Sequence, residues 1–477
     1  MNRLVLHRSA VRAARLARFV RQVGPAAIAA LATVIAAITT GVPEVRAEPA
    51  AADAATGAPG ASGASGASGD VAFQAYLEAV LRASNDLAAQ REALVSARAG
   101  VGIAGLRPDP SLALGAGPNE LSSAVNPKPR VAKTIGLTYT VEMGGKRERR
   151  VDLARSQVKA SETALNAAQR QASADAAAAF IEACRAREAL TRQEGSLRAL
   201  SEIVRMNELR HRAGDLGGLE LLQSRNGRDQ FLATVVKARA DAVAAMEGLA
   251  VPLGHRWNEE FGERLPRCVF SDARLPGDAE ALVSQALDAR DDVQAARAAL
   301  DTARAAAGLT RANRAVDPAI GVSYGYTAQG RPVFGPDGSP AAPSPRSNAL
   351  TLSLTVPIPL SRLDRGDLVQ AESAVTQAML GLRQTELKAQ ADVRVTFAQY
   401  EAALENLARY RDATLVDADR VLEGMRTSYR HGSASLLELL SAQRAADDTW
   451  LAYLQARSDL AAATVRLQQS VGRPPAP

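Results

Sequence analysis

Two cysteines, four histidines and a Gly144-Gly145-Lys146-Arg147 run are the places where chemistry in this 477-residue chain would have to begin. A zinc-hydrolase helix needs His-Glu-x-x-His, and a nucleophile elbow needs Gly-x-Ser-x-Gly. A phosphate loop needs spaced glycines followed by Lys and then Ser or Thr. None of these is present, and the Gly144–Arg147 run has neither the spacing nor the hydroxyl. His211, His431 and His255 stand alone, without the Cys or Asp neighbours that a metal ion would require. Cys184 and Cys268 make no disulfide framework and no metal signature. No catalytic residue, cofactor or metal site is therefore expected, and an enzyme is set aside.

A pI of about 9.5 invites a nucleic-acid partner, but the charge is unevenly placed. Of the 57 Lys/Arg and 51 Asp/Glu, residues 1–47 hold seven basic residues and one acid, Glu44, so the remainder is formally neutral. No nucleic acid is expected. The basic stretch precedes an apolar run from Ala26 to Ile38 and then Val45-Arg46-Ala47, with small residues at −3 and −1, as in an export signal. An uncleaved anchor is the competing reading, but the run is shorter than the roughly 20 residues of a spanning helix. Residues 48–70 are Gly/Ala/Ser-rich and read as a flexible tether.

The remaining chain is one unit written twice. Gly214-Asp-Leu-Gly-Gly-Leu-Glu-Leu-Leu answers Gly432-Ser-Ala-Ser-Leu-Leu-Glu-Leu-Leu at an offset of 218, ungapped to Gly254 and Gly472. The repeats are 71–254 and 279–472, joined by 255–278 and followed by a tail, 473–477. Glu220 and Glu438 thereby become equivalent positions.

Each repeat holds two segments with period-2 alternation. In the first, Leu112, Leu114 and Ala116 alternate with Ser111, Ala113, Gly115 and Gly117. Its partner sets Val131, Ile135, Leu137, Tyr139 and Val141 against Thr134, Gly136, Thr138, Thr140 and Glu142. In the second repeat, Ile320, Val322, Tyr324 and Tyr326 oppose Gly321, Ser323, Gly325 and Thr327. Leu350, Leu352, Leu354, Val356 and Ile358 then oppose Thr351, Ser353, Thr355 and Pro357. One greasy and one small, hydroxylated face is what lipid outside and water inside demand of barrel strands. A soluble sheet packed on a helix is the alternative. The Pro/Gly-rich joins, 118–130 and 329–347, resemble barrel surface loops. Four strands cannot close a barrel, and open edges in lipid leave backbone groups unpaired, so chains would have to pool strands.

Between the strands and the Gly214 turn, Lys146 to Arg212 holds no proline and one glycine, Gly195. As a single helix it would run about 100 Å. Gly366 to Arg430 likewise lacks proline and reads as a second long helix. Leu219 with Leu222, and Leu437 with Leu440, are spaced for packing against a neighbouring helix.

The double repeat, the Thr-rich strands, Val141-Glu142-Met143-Gly144-Gly145-Lys146-Arg147 and Val356-Pro357-Ile358-Pro359-Leu360 resemble the TolC-type outer-membrane efflux proteins. They look most like the exit component of heavy-metal cation pumps. The resemblance implies a mainly α fold with a small β part. A long α-helical barrel of coiled-coil hairpins would continue a transmembrane β-barrel shared by a homotrimer, four strands per chain. It also implies outer-membrane lipid around the strands, most of the chain in the periplasm, and partnership with a periplasmic adaptor and an inner-membrane transporter. Thr138, Thr140, Glu142, Ser353 and Thr355 would face the lumen, and Gly214 and Gly432 would form the periplasmic tip turns. Glu220, Tyr429 and Glu438 would gate the pore and set its selectivity, Tyr429 bonding Glu220. The family's second selectivity acid is Ser441 here, and an arginine common two residues after the second glycine is Ala434. Metal cations, or instead drugs and other organic compounds, would be the cargo. A periplasmic coiled-coil adaptor and a passive porin are the remaining alternatives.

Overall fold

The computed structural model describes residues 69–117, 131–270, 278–329, 333–334, 337–341 and 345–475. The expected export signal, the tether up to residue 68 and the 118–130 join lie outside the described residues. The chain divides into a β unit, residues 108–141 and 317–357, and a helical unit, residues 67–107, 142–316 and 358–477.

In the β unit, β1 (Ser111–Gly117), β2 (Ala132–Thr140), β3 (Ala319–Thr327) and β4 (Ser347–Thr355) form one antiparallel sheet in that order. The register stacks like on like. Leu112, Leu137, Val322 and Leu352 form one cross-strand row, and Leu114, Ile135, Tyr324 and Leu350 the next. Ser111, Thr138, Gly321 and Ser353 form a row on the other face. Gly321 leaves room there for the Ser353 hydroxyl, which would stand 2.6 Å from a Cβ and have to turn away. The apolar face is left open, with Leu112 60% and Leu352 76% exposed.

The strands are shorter than the alternation suggested. Val131, Val141, Glu142, Val356 and Ile358 fall outside them, although Val141 N–H still donates to Pro318 O at 2.9 Å. Beyond β4, Pro357 and Pro359 offer no N–H to a ladder. Within the expected 329–347 join, Val333–Phe334 pairs with Pro340–Ala341.

The helical unit contains α1 (Phe73–Ala83), α2 (Asn85–Ala104), α3 (Lys146–Ala213), α4 (Gly218–Gly248), α5 (Ala250–Leu253) and α6 (Trp257–Phe261). The second repeat supplies α7 (Ala279–Ala289), α8 (Asp291–Asn313), α9 (Gly366–Arg409), α10 (Leu415–Arg430) and α11 (Leu436–Val471). The order of two helices, two strands, a long helix and a return helix thus runs twice. α3 is continuous over 68 residues. Its buried alanines, among them Ala174 and Ala177, let α11 approach closely through Ala461 and Val465. The second long helix is not continuous as expected: a π-helical turn, Tyr410–Thr414, separates α9 from α10. Residues 411–414 of that turn are exposed, while Tyr410 is half-buried against the core around Tyr400 and Leu407, so the extra residue is accommodated on the solvent side.

The largest core cluster gathers Tyr76 and Val80 of α1, Phe180 and Cys184 of α3, Leu249, Leu253, and Trp257 and Phe261 of α6. The stretch joining the repeats is therefore part of the core. The cysteines that the sequence left unassigned are bonded to each other, Cys184 to Cys268, tying α3 to this stretch. Of the leucines spaced for packing, Leu440 packs against the cluster of Tyr429, Leu436 and Leu439, whereas Leu219, Leu222 and Leu437 are 72%, 62% and 76% exposed.

Candidate gate at the helical turns

Both helical hairpins close by the same device. Gly214 (φ +87°) and Gly432 (φ +76°) take the left-handed conformation that glycine adopts without a Cβ penalty. Asp215 N–H donates to Arg210 O and Ser433 N–H to Ser428 O, both at 2.9 Å, closing each helix end in a Schellman turn.

Past the turns the two repeats diverge. Ser435 caps α11 in a reciprocal box: Glu438 N–H donates to Ser435 Oγ at 3.3 Å, and Ser435 N–H donates to Glu438 Oε2 at 2.7 Å. The Ser435 backbone N–H, and then its hydroxyl, hold the Glu438 carboxyl below the usual range, so it stays charged. The residue equivalent to Ser435 in the first repeat is Gly217, which has no side chain to cap with. Glu220 is accordingly left out of a capping box. It lines a cleft of about 730 Å³ together with Arg210, Gln223, Tyr429 and Ser433.

Tyr429 is 3% exposed, its ring packed among Leu200, Ile203, Leu436 and Leu439. Its hydroxyl donates to Asn207 Oδ1 at 2.8 Å, and the Arg210 guanidinium carbon stands 5.9 Å from the ring centroid. Burial foremost pushes the phenol pKa up. Asn207 and Arg210 oppose this, while the nearby Glu220 adds to it. Tyr429 and Glu220 are thus brought to one cleft, but the short bond runs to Asn207, a residue sequence reasoning missed. The signal was present: Asn207 continues the apolar stripe of Leu200, Ile203 and Val204, where a polar side chain needs a partner.

The histidines are used locally. The Nδ1 atoms of His211 and His431 lie 2.8 Å from Leu216 O and Thr427 O. His255 Nε2 lies 3.4 Å from Glu260 Oε2. Among the described residues no three His, Cys, Asp or Glu side chains gather as a metal site.

On the sheet, Thr138 and Ser353 share the small face of one row through Gly321, and Thr140 and Thr355 another through Ala319. Glu142 is not with them. It lies past β2, in the helical unit, and holds both ends of the Arg150 guanidinium, which also donates to Leu106 O at 3.0 Å. As a fixed ion pair it is a corner brace at the start of α3 rather than a strand residue.

A duplicated helical hairpin joined to a four-stranded antiparallel sheet recurs in several solved outer-membrane proteins. The chain superposes on CusC, whose crystal structures concern folding and transmembrane channel formation. The TM-score is 0.66 at 19% identity over 84% of this chain and 92% of that one. The outer-membrane channel OprN gives 0.67 at 22% over 84% and 89%. VceC of Vibrio cholerae gives 0.65 at 21% over 84% and 96%. The sequence matches the outer membrane efflux protein family over residues 76–255 and 282–473, and the chain belongs to that family. Its members are transport components and not enzymes. Among the curated proteins no sequence match is found.

Proposed function

We propose that the chain is the exit duct of a tripartite efflux pump, passively conducting cargo from the periplasm across the outer membrane. One observation carries this reading. The four-stranded sheet has a single neighbour at each of β1 and β4 and an apolar face left open to its surroundings. Lipid is the environment in which such a face is stable, and unpaired edges in lipid must be covered by more strands. Three copies supply twelve strands and close the barrel. Thr138, Thr140, Ser353 and Thr355 then face the lumen, and the exposed Leu219, Leu222 and Leu437 meet helices of neighbouring copies or the adaptor. No described helix is long and apolar enough to cross a membrane. Residues 1–47 direct export, and residues 48–70 tether the channel.

The proposed cargo is divalent heavy-metal cations, on the resemblance of the Gly144–Arg147 corner to metal-pump ducts and on carboxylates at the turns. Three copies of Glu220 and Glu438 around a pore attract cations and repel anions. Organic cargo is the second reading. Deletion of the gene followed by growth on zinc, cadmium, cobalt, nickel, copper and organic toxicants decides between them. Loss of metal tolerance is expected. Lost drug tolerance with unchanged metal tolerance overturns the cargo and leaves the duct. Recovery of the protein as a water-soluble periplasmic monomer overturns the duct.

A further inference from the structure

Asn207 is wholly buried, and only one end of its amide is used. Oδ1 accepts from the Tyr429 hydroxyl, whereas Nδ2 is buried with no partner. A buried donor without an acceptor is rare and costly, and an under-used carbonyl oxygen is tolerated better. The two ends of the amide have nearly the same size and shape, so the side chain fits equally well turned over. Turned over, Nδ2–H donates to the Tyr429 oxygen and is satisfied. The tyrosine has one proton, which is then free to point elsewhere. Glu220 lines the same cleft as Tyr429 and offers that proton a carboxylate acceptor. A bond to a carboxylate is about twice as strong as one to a neutral amide, so the relay direction is favoured on both counts.

We propose that Asn207 is a positioning residue of the gate, its buried amide donating to Tyr429 so that the tyrosine proton is aimed at Glu220. The chain Asn207 to Tyr429 to Glu220 links α3, α10 and α4 of one subunit and holds the Gly214 and Gly432 turns together. Pulling Glu220 away to open the tip breaks the charge-assisted bond and leaves a buried tyrosine–amide pair that re-forms it on closing. This deepens the exit-duct reading and rests on it.

The test uses full-length channels in planar bilayers, with thermal melting to verify folding. Asn207→Asp keeps an acceptor but removes the donor. The relay predicts that the tyrosine proton turns to the introduced carboxylate, Glu220 loses its donor and the closed-to-open ratio falls by roughly tenfold or more. Were Asn207 only a structural acceptor, Asn207→Asp would leave conductance at the wild-type level, and that result overturns the proposal. Should Asn207→Asp not fold, the pair Asn207→Leu and Glu220→Ala carries the same question. A shared chain predicts a double variant no leakier than Glu220→Ala alone, and additive opening overturns it. Opening by Glu220→Ala without any effect at Asn207 rejects the relay and keeps the duct. Failure of the wild-type protein to form any channel rejects both.

Discussion

Glu220 and Glu438 are equivalent by sequence offset, yet their surroundings separate them. Ser435 ties Glu438 to its own helix start, whereas Gly217 gives Glu220 no such partner. The repeat makes the two acids equivalent, and the family resemblance, not the repeat, singles out Tyr429. Sequence reading passed over the Ser-x-x-Glu box that distinguishes the acids and over Asn207, whose importance depends on which stripe of α3 is buried. Replacing Tyr429 by Phe together with Glu220 by Gln is expected to raise single-channel conductance, and an unchanged conductance removes the pair from the closing mechanism. Tyr76 makes a separate prediction. Its hydroxyl donates to Leu249 O at 2.9 Å, and burial raises its pKa far above the ordinary value. The unfolded chain ionises near pH 10 while the folded one holds its proton, so the stabilisation is complete below about pH 10 and declines above it. Between pH 8 and 10.5 the wild type should lose on the order of 1 kcal/mol from this group. Melts of Tyr76→Phe should show a smaller alkaline loss, from a start lowered by about 1 kcal/mol for the missing hydrogen bond. Equal pH slopes in the two proteins would exclude Tyr76 as the source.

At the scale of elements, α3 was legible almost to the residue, because 67 positions without proline leave a helix few reasons to stop. The π-helical turn was not, since Tyr410–Thr414 carries no composition that marks a widened turn. A π turn is an α-helix with one residue too many. Deleting Ala413 should therefore convert Tyr410–Thr414 to regular helix and leave Tyr429 in register, with little change in melting temperature. The same deletion at Glu401, in regular helix, turns the downstream face by about 100° and should abolish the assembled channel. Equal tolerance of both deletions would mean that the register of α10 is unimportant. The disulfide was equally hidden, because two cysteines 84 residues apart carry no spacing signal. Closing a loop of that length restrains the unfolded chain, so Cys184→Ser with Cys268→Ser should cost about 2–5 kcal/mol. Reductant should lower the wild-type melting temperature and leave the double variant unchanged.

For the whole molecule, the alternation in the strands was read correctly in phase, and the register then aligned four strands so that leucine meets leucine and glycine meets hydroxyl. The proposed assembly rests on the arithmetic of four strands that cannot close alone. The lipid side and the water side of the proposed barrel differ by a single step along β4, at Leu352 and Ser353. An arginine in place of Leu352 would face hydrocarbon, at a cost of about 2–4 kcal/mol per copy near the bilayer midplane. Three copies multiply this penalty, so Leu352→Arg should fail to reach the outer membrane as a trimer, measured by fractionation and cross-linking. Ser353→Asp sits one residue away in the small-residue row with Thr138 and Gly321. It should assemble normally and shift the reversal potential toward cation selectivity, since a ring of three new carboxylates would line the lumen. A soluble sheet packed on its own helices makes the opposite forecast, with both charges tolerated or both rejected according to local burial. Assembly that survives arginine at Leu352 and fails with aspartate at Ser353 would turn the barrel inside out and end the duct reading.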